Sequence, residues 1–141
     1  MTSEDVSLVQ HSFATAIPHA DAVAQSFYTA LFAGDPSLRA MFKGDMTEQR
    51  RKLMLTLGTV IQNLHQLDQV IYAITSLGVR HVQYGVKTRH YQLVGEALLD
   101  ALIQHVPSFD VDCKAAWGRA YAVLSKTMID AAEASEASKA A

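Results

Sequence analysis

A single cysteine, Cys113, stands among the 141 residues, so no intramolecular disulfide framework is available and the chain suits a reducing compartment. Twelve Lys and Arg face 14 Asp and Glu, for a formal net charge of −2. That balance supplies no basic excess for a nucleic-acid backbone and no acidic tail. No apolar run approaches the roughly 18 residues needed to cross a bilayer, so no membrane partner is expected. The N-terminal MTSEDVSLVQ is acidic and lacks a basic-then-apolar signal pattern, which makes the cytoplasm the expected location. Period-2 alternation and Asn-Gly or Asp-Gly hairpins are missing too, which leaves little room for a sheet. There is no GxGxxG, HExxH, CxxC or GxSxG, and GVKT at Gly85 to Thr88 is not a phosphate-binding loop.

What remains is helical. Half of the residues are hydrophobic, enough for one substantial core, and they recur with a 3.6-residue period almost everywhere. Thr2 with Asp5 reads as an imperfect capping box, after which Val6, Val9, Phe13, Ala16 and Ile17 mark the buried face of a first helix. Pro18 stops or turns it. Ala22 to Phe32 reads as a second helix and Pro36 to Met41 as a short one, followed by an irregular Phe42-Lys43-Gly44-Asp45. Met46 to Leu64 is a long helix with Gln49, Leu53, Leu57, Val60 and Leu64 on one face. Val70 to Val82 follows and ends near Gly85. Thr88 is the expected cap of the next helix, which carries Tyr91, Val94, Leu98 and Leu102 inward until Pro107, and Asp110 caps the last. The expected domain covers residues 1–130. The tail from Ala131 to Ala141 is low in complexity and is read as a fraying or disordered helix end.

Chemistry concentrates on two of these helices. Val70, Ile74, Leu77 and His81 share one face at spacings of four, three and four, so an imidazole closes an apolar stripe. A lone histidine in such a place is more often a core residue with satisfied nitrogens than a ligand. The helix some thirty residues upstream, however, places Gln49 on its own apolar face. If the two faces oppose each other they make an apolar slot with an imidazole on one wall and a carboxamide on the other, and Tyr28 can add a hydroxyl. A flat apolar cofactor with a central metal needs that layout: one strong axial ligand, a dry lining, and donors opposite. His11, His19, His65, His90 and His105 show no metal-ligand spacing.

The segments SFYTALFAGDPSLRAMF (Ser26 to Phe42), EQRRKLMLTLG (Glu48 to Gly58), LGVRHVQYGV (Leu77 to Val86), HYQLVGEALL (His90 to Leu99) and AAWGRAYAVL (Ala115 to Leu124) resemble bacterial single-domain haemoglobins and the globin module of flavohaemoglobins. The resemblance runs from about Val6 to Ile129 and keeps order and spacing. It implies an all-α globin fold, a three-over-three helical sandwich around a haem pocket. By that resemblance His81 is the proximal iron ligand, Phe42 packs on the porphyrin, Tyr28 donates to bound dioxygen, Gln49 fills the distal position, and Leu53 crowds the ligand. Leu57, Leu77, Tyr91 and Val94 complete the cofactor lining. Lys52 and Arg80 are candidate partners of the haem propionates, or plain solvated charges. The cofactor implied is haem b, held non-covalently because no C-x-x-C-H motif is present. A hydroxyl and an amide aimed at dioxygen would each contribute about 1–2 kcal/mol in a dry pocket, or about 5- to 30-fold in affinity.

The implied function is reversible dioxygen binding for storage or transport, with NO and CO as further ligands. The alternatives are a nitric oxide dioxygenase fed by an external reductase and a haem-based gas sensor acting through a partner. One departure stands out. The flavohaemoglobin type supports its proximal histidine through a tyrosine and a glutamate. Tyr91 matches the tyrosine, but the glutamate position falls on Ala132, with Glu133 one residue, about 100° of helix, out of register.

Overall fold

In the computed structural model, which describes residues 1–140, six α-helices follow one another with no strand among the described residues. Helix α1 spans Ser3–Ala16, α2 Ala20–Gly34, α3 Met46–Gln62, α4 Ile71–Gln83, α5 Thr88–His105 and α6 Val111–Ala140. Short 3₁₀ segments at Ile17–His19, Pro36–Met41 and Leu64–Val70 join them. The helices pack in two layers, the sandwich that the resemblance implies. α4 packs on α6, α2 on α5, and α1 on α6.

The helix starts follow from local chemistry. The Thr2 hydroxyl accepts the Asp5 amide and the Asp5 carboxylate accepts the Thr2 amide, both at 3.1 Å, so the capping box is complete. Asp5 also takes two hydrogen bonds from Arg119 on α6, at 2.8 and 2.9 Å, and its carboxyl is held well below the usual carboxylate range. Asp45 caps α3 through the Thr47 amide at 2.9 Å, and Asp110 caps α6 through the Cys113 amide at 2.9 Å.

Two expectations change. Ile17 is exposed, because Pro18 tightens the chain into a 3₁₀ turn and rotates Ile17 off the buried face of α1. Thr88 is the first residue of α5 rather than its cap, and the His90 ring takes the cap instead, its Nδ1 accepting the Lys87 amide at 2.9 Å. Helix α6 runs from Val111 through Ala140. Ala141 lies outside the described residues.

The core sits between the layers. Trp117 of α6 is buried against Phe13 of α1, ring centroids 6.3 Å apart, and its indole N–H donates to the Ser12 hydroxyl at 2.8 Å.

Candidate functional site

His81 lies in the last turns of α4, which Gly85 closes with a φ of +89°, a backbone state that suits glycine. Its Nδ1 stands 2.6 Å from the Leu77 carbonyl oxygen one turn back. A carbonyl only accepts, so Nδ1 carries the hydrogen and Nε2 keeps its lone pair. Burial, with Arg80 adding to it, pushes the imidazole pKa down from its ordinary value of 6.5, which favours the neutral ring. The Tyr91 ring stacks beside it at 6.4 Å and 29°, and Tyr84 flanks it at 6.0 Å.

The second polar feature joins α2 to α3. The Gln49 amide donates to the Tyr28 hydroxyl oxygen at 3.0 Å. Tyr28 is only 5% exposed, and burial pushes its pKa above the ordinary phenol value, so the hydroxyl keeps its hydrogen. Three phenylalanines hold its ring: Phe27 edge-on at 4.9 Å, Phe42 edge-on at 5.4 Å and Phe32 tilted at 5.8 Å.

The apolar residues near these groups are covered only in part. Phe42, Leu53, Leu57, Leu77 and Val94 are half-buried, as are His81, Gln49 and Tyr91. Residues further along the same helices are closed off: Val60 on α3, Ile74 on α4 and Leu98 on α5 are buried. The helix faces that carry the candidate residues thus keep apolar area that an inserted flat group would cover. The donor chemistry fits such a group. One neutral imidazole with a free Nε2 could supply one metal ligand, and the rest of the ligand set would have to come with the cofactor itself. Among the described residues no three His, Cys, Asp or Glu side chains gather as a metal site. Lys52 and Arg80 are exposed, and neither forms an ion pair within the described residues.

Several features escaped the sequence. The Leu77 carbonyl is a backbone group that no side-chain pattern marks, although an i−4 carbonyl is always within reach of a helical histidine. Nothing in the sequence sets Phe27 and Phe32 apart from the other apolar residues of the second helix. Tyr121 of α6 donates to the Tyr91 carbonyl at 2.5 Å, which binds α6 to the helix that carries Tyr91. Ala132 is buried and shares with Tyr91, Val82, Val86 and Ile129 the lining of a cavity of about 220 Å³, which the exposed Glu133 and Glu136 line as well. No carboxylate meets His81 among the described residues; its Nδ1 hydrogen goes to a neutral carbonyl.

Comparison with known proteins places the chain. Residues 25–128 match the Globin family model. An uncharacterized globin-like protein of Aquifex aeolicus is 31% identical over 132 residues, covering 92% of both chains. The chain therefore belongs to the globin family. A flavohemoprotein of Vibrio cholerae is 25% identical over 92% of this chain but only 34% of its own length, so the chain spans about a third of that relative. Among solved structures, a bacterial globin from Campylobacter jejuni superposes with a TM-score of 0.82 at 25% identity, covering 94% of this chain and 96% of the other. An engineered carbene transferase, made from a nitric oxide dioxygenase candidate of Rhodothermus marinus, gives 0.89 at 25% identity over 100% and 99%.

Proposed function

We propose that this globin holds one non-covalent b-type haem through His81 and binds dioxygen reversibly on it, serving storage or delivery in the cytoplasm. The observation that carries the reading is the state of His81: a neutral ring with Nδ1 anchored to the Leu77 carbonyl and Nε2 free, set in a half-covered apolar wall. When bound, ferrous haem supplies an open coordination position for a diatomic gas, and NO and CO belong to the same ligand class.

The chain's own residues would divide the work. His81 Nε2 would hold the iron, while the Leu77 carbonyl fixes the tautomer and the rotation of the ring. Tyr28 and Gln49 would offer an O–H and an N–H to a polar ligand, and the phenylalanines around Tyr28 restrict where its hydroxyl can point. Phe42, Leu53, Leu57, Leu77 and Val94 would grip the macrocycle and keep water away. Lys52 and Arg80 would meet carboxylates at its edge. Tyr91 would fix the imidazole plane by stacking.

A second reading is a nitric oxide dioxygenase that draws electrons from an external reductase. The likeness to the Rhodothermus marinus protein favours it. Oxygen equilibrium binding to the reduced protein, followed by steady-state NO consumption with an added reductase, separates the two. Reversible oxygenation without sustained NO turnover supports the carrier, and sustained turnover supports the enzyme. A reduced protein that forms no oxygen complex overturns both.

A further inference from the structure

Gly78 is buried in α4, one residue after Leu77 and one turn before His81. A β-carbon built on it would lie 2.3 Å from the Met128 carbonyl oxygen of α6, 2.8 Å from the Met128 α-carbon and 2.9 Å from its carbonyl carbon. All three are backbone atoms of a helix, so no side-chain rotation relieves the contact. Ordinary van der Waals contact begins near 3.4 Å, so any side chain at this position forces α4 and α6 apart by about 1 Å. No other described glycine faces backbone in this way. Gly58 and Gly34 would meet only side-chain atoms, at 3.7 and 3.3 Å, and Gly118 would meet nothing within 4 Å.

The place of this contact gives it meaning. The α4–α6 pair is one of the two most extensive helix packings in the described chain, the other being α2–α5. The carbonyl that anchors His81 Nδ1 belongs to Leu77, the immediate neighbour of Gly78. A displacement of α4 at Gly78 therefore carries with it both the imidazole and the group that sets its rotation. Packed helices move as rigid units, so the shift is not absorbed between residues 78 and 81.

We propose that Gly78 is a positioning residue for His81: its missing side chain lets α4 seat directly on the α6 backbone at Met128, and that seating sets the reach and tilt of the imidazole toward the iron. The inference rests on the haem-ligand reading of His81. Gly78 does not touch the cofactor; it acts through the helix.

The test compares Gly78→Ala with Gly118→Ala in the haem-loaded protein. The readouts are the iron–histidine stretching band of the ferrous unliganded form, the CO association rate, and the thermal midpoint of the haem-free protein. Gly78→Ala should move the stretching band and change CO association several-fold, with a lowered midpoint. Gly118→Ala makes the same chemical change in open space and should leave band and rate at their wild-type values. If Gly78→Ala is too unstable to handle, the double variant with Gly118→Ala, whose added alanine favours the α6 helix, replaces it. A lowered midpoint with an unmoved band and rate would overturn the proposal and leave Gly78 a packing residue only. Failure to fold even in the double variant would overturn it as well, because the proposal requires a shift that the core absorbs. A wild-type protein with no iron–histidine band would count against the haem-ligand reading of His81 and not against the seating of α4 on α6.

Discussion

Gln49 and Tyr28, 21 residues apart and on different helices, meet with the amide nitrogen 3.0 Å from the phenol oxygen, the amide donating. The bond uses a lone pair of the phenol and leaves its hydrogen for another acceptor. Gln49 thereby orients Tyr28 without consuming its donor. In the proposed oxygen carrier both side chains then contribute, one directly and one through the other as well.

Tyr28→Phe should accelerate oxygen dissociation by about 5- to 30-fold, the loss of one hydrogen bond in a dry site. Gln49→Leu should accelerate it too. The double variant should fall short of the product of the two, since the residues are coupled. Stopped-flow displacement of oxygen by CO measures all three. Strictly multiplicative effects would separate the two roles.

The pH dependence of the haem-free protein follows from His81. Its pKa in the fold lies below the unfolded value of 6.5, so the unfolded chain binds more protons as the medium becomes acidic. This group's penalty is absent above pH 6.5 and grows as pH falls through that value toward the folded pKa. The urea midpoint of the haem-free wild type should therefore drop more between about pH 7.5 and about pH 5 than that of His81→Leu. Parallel profiles would show that His81 titrates in the fold as it does in the unfolded chain.

Ser12 and Trp117 form a buried pair across α1 and α6. Ser12→Ala leaves the indole N–H without a partner and should cost about 1–3 kcal/mol in urea unfolding. Adding Trp117→Phe removes the stranded donor, so the second change should cost less in the Ser12→Ala background than in the wild type. Equal costs in the two backgrounds would mean that the bond contributes nothing.

How much of this was legible in the sequence depends on which atoms carry each feature. Helix periods and caps are written in side chains, so Asp110 and the Thr2–Asp5 box were readable residue by residue, while the Asp45 cap passed as part of an irregular connection. The His81 stripe was readable for the same reason, and so was the Gln49 face. Thr88 misled because a hydroxyl near a helix start resembles a cap, while the ring of His90, two residues further on, competes for the same amide and wins. The Leu77 carbonyl and the Met128 backbone under Gly78 are main-chain atoms, and no residue type announces them. Gly78 in a helix reads as a mild propensity defect until its neighbour on α6 is known.

Ala132 offers a way to change the proximal side. It lines a cavity of about 220 Å³ together with Tyr91, and that volume admits a longer side chain. Ala132→Glu should place a carboxylate near the Tyr91 hydroxyl and raise reactivity of the ferric protein toward hydrogen peroxide. Ala132→Gln should do so far less, because it brings the length without the charge. Peroxide consumption rates measure the contrast, and equal rates for the two variants would show that a charge at residue 132, beside the Glu133 and Glu136 already lining the cavity, does not reach His81.

The most direct test of His81 as the iron ligand is an ultraviolet-visible spectrum of haem-loaded protein, ferric and then dithionite-reduced, with His81→Ala alongside. The wild type should show a Soret band that shifts on reduction and a single broad high-spin visible band in the ferrous form, since neither Tyr28 nor Gln49 is a strong iron ligand. His81→Ala should lose that ligation. Sharp split bands in the unliganded ferrous protein would mean a second internal ligand and would remove Gln49 and Tyr28 from their proposed roles. A Soret band that His81→Ala leaves unchanged would contradict the assignment of His81 to the iron.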